Sequence, residues 1–111
     1  MNFNINKHFL EIRGNVTQKK NFINKVFKLL ENYLQNLEEQ TFIVNIEITY
    51  FNEYGSLILL NLFDKLDKAI DDSKNIIVNW IFDSEIYEEY GKEIKEDFTM
   101  PFNLVPKSIS E

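Results

Sequence analysis

The chain has 111 residues, 44% of them hydrophobic and 27% charged, with no cysteine and a formal charge of −6 at pH 7. That length leaves room for one core, so residues 1–111 are read as a single domain, and ten Phe, five Tyr and one Trp argue for a folded globule. Disulfides, thiolate metal sites and cysteine nucleophiles are excluded, and the acidic balance argues against a general nucleic-acid binder, because phosphate contacts need a basic face.

In chain order, Met1 to Ile5 offers Phe3 and Ile5 to a short first strand. His8 to Arg13 alternates, with Leu10 and Ile12 on one face, and reads as a strand ending at Gly14. From Lys19 to Glu38, Phe22, Val26, Leu29, Leu30, Tyr33 and Leu37 recur at the spacing of an amphipathic helix. Thr41 to Phe51 is rich in β-branched and aromatic residues. Val44, Ile46, Ile48 and Tyr50 share one face and Ile43 and Phe51 the other, the pattern of a central strand.

Ser56 to Ile70 returns to helical period through Leu59, Leu62, Phe63, Leu66 and Ile70. Asn75 to Phe82 is a second buried strand. Ser84 is placed to cap a helix running to Asp97, with Glu85 in its first turn and Ile86, Tyr87, Tyr90 and Ile94 expected in the core. Pro101 holds Met100 extended, and Phe102 to Val105 reads as a closing edge strand. Strands alternating with helices predict an α/β domain: a four- to five-stranded, mostly parallel or mixed sheet with about three helices.

Charge is unevenly spread. Residues 1–34 carry six bases against Glu11 and Glu31, whereas residues 83–97 carry seven acids against Lys92 and Lys95. Met1 to Gly14 lacks a charged-then-apolar leader pattern and no apolar run has membrane-spanning length, so no membrane insertion and a cytoplasmic location are expected.

Catalytic chemistry finds little footing. His8 is the one histidine and reads as a strand-end residue; Gly14 and Gly55 belong to no phosphate-binding loop. The acids Glu85, Glu88, Glu89, Glu93 and Glu96 lie opposite the Ile86–Tyr90–Ile94 stripe, which is the pattern of a solvated helix face. Trp80 reads as core. No catalytic residue, metal or cofactor is expected.

The turn Tyr50-Phe51-Asn52-Glu53-Tyr54-Gly55-Ser56 is different, because it joins a buried strand to a helix at the sheet edge where α/β proteins meet ligands and partners. Asn52 or Glu53 can cap the helix, while Tyr54 and Leu57 point to an interaction patch that a cap does not require. Tyr50, Asn52, Glu53, Tyr54, Gly55 and Leu57 are therefore the candidate partner-binding residues.

The chain resembles the SiaC family of regulatory phosphoproteins over Leu10 to Leu104. Trp80-Ile81-Phe82-Asp83 is similar to the family's Trp-x-Tyr-Asp strand end. Gly91 with Glu96-Asp97 is similar to its Gly-x-x-x-x-Glu-Asp helix end, and Pro101-Phe102 to its closing strand. Tyr50-x-Asn52, followed by Leu59-Leu60 and Leu62, resembles its Tyr-x-Asn-Thr-Ser-Ser turn and helix.

The resemblance implies partner switching. A threonine at the start of the second helix is phosphorylated by a dedicated kinase and dephosphorylated by a phosphatase. The unmodified protein binds and activates a diguanylate cyclase, favouring biofilm growth. The site also looks similar to that of STAS-type anti-sigma-factor antagonists. Here the acceptor position falls on Glu53 and the two serines on Tyr54 and Gly55, while Val16-Thr17-Gln18-Lys19-Lys20 stands where a Pro-Glu-Asn turn is expected. The expected function is a non-enzymatic adaptor with a lost or altered switch, Ser56 being the candidate displaced acceptor. The alternatives are a STAS-like module serving an anti-sigma-type kinase without a cyclase, a self-associating dimer, and an enzyme using the acidic helix.

Overall fold

A computed structural model describes residues 2–16 and 20–107. The order is β1 (Asn2–Ile5), β2 (Phe9–Val16), α1 (Lys20–Gln35), β3 (Thr41–Phe51), α2 (Glu53–Asp71), β4 (Asn75–Phe82), α3 (Glu85–Asp97) and β5 (Phe102–Pro106). Strands lie side by side in chain order; β1 is antiparallel to β2 and the later neighbours are parallel. The α/β class, the mixed five-stranded sheet and the three helices are as the sequence implies.

A sheet that always grows in one direction through right-handed crossovers places every helix on the same face. Burial follows that rule. Leu10 and Ile12 of β2, Phe42 to Ile48 at alternate positions of β3, and Ile76, Val78 and Trp80 of β4 join one core with the buried faces of the helices. The other face is uncovered: Ile43 and Val105 are exposed there. Across it Asn79 Nδ2 donates to Asn45 Oδ1 at 2.9 Å and Asn103 Nδ2 donates to Asn79 Oδ1 at 3.0 Å. This amide ladder satisfies polar groups on strands that solvent reaches from one side. β3 is central, as expected, but Ile43 of its second apolar set is not covered by helices.

Other local differences have physical reasons. β2 continues through Gly14 to Val16, because Gly14 takes φ 92° and the register with β3 shifts between Gly14 and Asn15. A glycine with positive φ absorbs such a bulge instead of ending the strand. On α1, Phe22 and Leu29 are exposed and Ile23, Phe27 and Leu34 take the core side. Both sets have helical spacing, and the position of the sheet selects between them. α2 begins at Glu53, earlier than Ser56, and the expected α1 start at Lys19 lies outside the described residues. His8 sits in the exposed β1–β2 turn, where Asn6 Oδ1 accepts from His8 N at 2.7 Å and Phe9 N at 3.0 Å.

Helix α3 lies unusually close to β4. A Cβ built on Gly91 would stand 2.6 Å from Trp80 Cδ1 and 2.8 Å from Leu104 Cδ2. Trp80 Nε1 donates to Tyr87 O at 2.8 Å, and the indole stacks on Tyr90 with centroids 5.6 Å apart. Trp80 is thus a core residue whose one polar atom is satisfied, and Gly91 is the residue that permits the approach.

A candidate partner-binding corner

The C-terminal end of β3 turns into α2 through Asn52. Its backbone is extended (φ −94°, ψ −175°), and its Oδ1 accepts from Gly55 N at 2.7 Å. Asn52 O then accepts from Ser56 N at 2.9 Å, which starts the helix. The side chain satisfies one of the N–H groups that a first helical turn leaves without a partner. Glu53 follows as the first helical residue, exposed and at the positive end of the helix dipole. Among the described residues it enters no ion pair.

Helix α3 closes the corner from one side. Tyr87 OH donates to Thr49 O at 3.1 Å, and Ser56 Oγ and Tyr90 OH lie 3.2 Å apart in a hydrogen bond. Burial first, then the neighbouring Tyr50 and Asp83, raise the Tyr87 pKa above the usual 10.0, so the phenol stays a donor. Thr49 Oγ1 donates to Asn15 Oδ1 at 2.9 Å, tying in the end of β2. Ser84 caps α3 much as Asn52 caps α2, its Oγ accepting from Tyr87 N at 3.5 Å. Both helix N-termini follow the C-terminal ends of parallel strands and so lie on one edge of the sheet.

The structure brings Tyr50, Asn52, Glu53 and Leu57 to this surface; Tyr50 is 52% and Leu57 59% exposed. Gly55 is buried and contributes through its N–H. Ser56 is half-buried against Tyr90. The Tyr54 side chain lies outside the described residues.

Sequence reasoning missed Thr49, Tyr87, Tyr90 and Ile86 as members of the corner. The spacing places Ile86 in the core, yet it is 77% exposed, because α3 turns Tyr87, Gly91 and Ile94 to the core and Ile86 lies about 100° round the helix from Tyr87. Tyr87 and Tyr90 bury their rings in part and spend their hydroxyls on the corner. The available signal was that a half-buried tyrosine needs a partner for its O–H.

Elsewhere, a hollow between α1 and α2 is lined by charges of both signs, among them Glu31, Asp64, Lys65 and Lys68. It lies towards the opposite end of α2 from the corner. Among the described residues no group of three His, Cys, Asp or Glu side chains could hold a metal ion. Nor is any helix there long and apolar enough to cross a membrane.

A family model described as SiaC family regulatory phosphoprotein matches residues 1–107. The chain belongs to the SiaC family. Its fold is shared with a chain of the crystal structure of diguanylate cyclase SiaD in complex with its activator SiaC from Pseudomonas aeruginosa. There the TM-score is 0.86 at 17% identity, covering 95% of this chain and 90% of that one. SiaC of Pseudomonas aeruginosa aligns at TM-score 0.79 and 18% identity, over 89% and 82% of the two chains. Apo-SiaC from the same organism aligns at 0.77 and 17%, over 92% and 84%. No curated protein sequence matches. These SiaC structures establish the fold at an identity where side-chain roles must be argued from this chain's own residues.

Proposed function

We propose that this SiaC-family domain is a signalling adaptor that binds a diguanylate cyclase through the β3–α2 corner, with Glu53 at the place of the phospho-acceptor. One observation carries the reading: Glu53 stands exposed at the capped start of α2 and enters no ion pair among the described residues. A partner can meet such a carboxylate without first breaking an internal ion pair. Membership of a regulatory phosphoprotein family, and a fold neighbour seen with a cyclase, support a cyclase as the partner.

A phosphorylated hydroxyl would carry about −1.5 to −2 charge and three acceptor oxygens. Glutamate offers one charge and two oxygens, so it imitates a modified residue in part and cannot be switched by a kinase and a phosphatase in the same way. Ser56 is the second acceptor position. A kinase would first have to break its hydrogen bond to Tyr90 and reach a half-buried hydroxyl. The adaptor acts by binding rather than catalysis, in the cytoplasm with the kinase, phosphatase and cyclase.

The test uses a diguanylate cyclase and a protein kinase from the organism that carries this chain. Wild-type protein is expected to gain no phosphate in intact-mass measurements, whereas Glu53→Thr gains one at the new hydroxyl and then captures the cyclase differently. Stoichiometric phosphate on Ser56 or Tyr54 of the wild type overturns the lost switch. A Glu53→Thr protein that is neither phosphorylated nor altered in cyclase capture overturns the corner as regulatory centre.

A further inference from the structure

Helix α3 carries an apolar stripe that winds from the core side round to solvent: Ile94 is 4% exposed, Tyr90 is half-buried and Ile86 is 77% exposed. A single exposed isoleucine is ordinary on a protein surface. This one has company, since Tyr50 and Leu57 are exposed at the same sheet edge. The hydrogen bonds from Tyr87 to Thr49 and between Tyr90 and Ser56 hold the supporting segments of β3, α2 and α3 together. Apolar side chains on a braced frame give up little conformational entropy when something covers them.

The charges beside this patch are acidic. Glu53 opens α2, Glu85 opens α3, and Glu89 follows one turn later; all three are exposed. Among the described side chains Lys92 pairs with Glu88 and Glu89, and Lys107 pairs with Glu47. The helix dipoles account for an acid in each first turn, but not for apolar residues set among them. An acidic segment would meet like charge here, and a purely basic one would leave Ile86 and Leu57 in water.

We infer that the Tyr50–Leu57–Ile86 surface receives a protein segment with an apolar anchor flanked by lysine or arginine. The inference rests on the adaptor reading and names the chemistry by which the partner docks. The anchor supplies burial, while the flanking cations answer Glu53 and Glu85 and speed association at low salt.

The isotope-labelled full chain is titrated with three short synthetic peptides: leucines flanked by lysines, the same with glutamates for the lysines, and the same with alanines for the leucines. The lysine–leucine peptide is expected to shift the amides of Tyr50, Leu57 and Ile86. Both other peptides should bind at least about tenfold more weakly, a difference of about 1.4 kcal/mol. Ile86→Ser should weaken binding by a similar factor at unchanged melting temperature, and Glu85→Lys should flatten its salt dependence. Equal binding by the alanine peptide, or shifts confined to the Glu93–Asp97 end of α3, overturns the inference, as does an unaffected Ile86→Ser protein. If the peptide fails while a diguanylate cyclase of the same organism is still captured, the docking chemistry is wrong and the adaptor reading stands. If the peptide binds as expected but the cyclase does not, the docking chemistry stands and the choice of cyclase is wrong.

Discussion

The two halves of α3 hold to the molecule by different physics. In the C-terminal half, Gly91 and Ile94 are buried, and the backbone comes so near Trp80 that there is no room for one more methyl group. In the N-terminal half, Ile86 faces solvent while Tyr87 and Tyr90 reach Thr49 and Ser56 through their hydroxyls. Close packing decides where the helix lies, and directional hydrogen bonds decide what the corner presents. Damage to the first half should therefore be felt as lost stability, and damage to the second mainly as altered recognition.

The sharpest way to break that contrast is Gly91→Ala. The added Cβ meets the rigid indole of Trp80, so about 1–3 kcal/mol of stability should be lost, read as a lower urea midpoint. An unchanged midpoint would mean that the close approach does not constrain the helix. Asn52→Ala acts on the corner and should cost about 1 kcal/mol through the lost cap, with faster hydrogen exchange at the Gly55 amide; Asn52→Ser should recover most of it.

Tyr87→Phe should have the smallest effect, about 0.5–1 kcal/mol at neutral pH from one hydrogen bond. Its pH dependence separates it from a packing defect. The folded state holds the Tyr87 proton more tightly than the unfolded chain, so that stabilisation is complete below the usual tyrosine pKa of 10.0 and is lost as pH rises through the higher folded value. The stability gap between wild type and Tyr87→Phe should narrow above pH 10. A gap that stays constant to higher pH would mean that folding does not raise the phenol's pKa.

The corner was legible where local chemistry suffices. Asn52 or Glu53 before a helix predicts a cap, and Leu57 opposite Leu59 and Leu66 predicts exposure; the structure gives the cap to Asn52 and leaves Leu57 exposed. Ile86 differs because two overlapping sets, Ile86–Tyr90–Ile94 and Tyr87–Gly91–Ile94, both have helical spacing, and packing selects the second. The contributions of Tyr87 and Tyr90 depend on hydroxyls meeting atoms 38 and 34 residues away in the chain. No local pattern encodes such a meeting.

Side-chain periodicity and groups a few residues apart suffice for the alternation of strands and helices, the span of β4 from Asn75 to Phe82, and the capped strand-to-helix turn. The packed fold, and no local pattern, leaves one sheet face open behind an asparagine ladder and turns Ile23 and Phe27 of α1 inward instead of Phe22 and Leu29. It alone also placed Ile86 beyond the core. Each depends on where a second element lies in space, which is set by crossover direction and close packing across the whole domain.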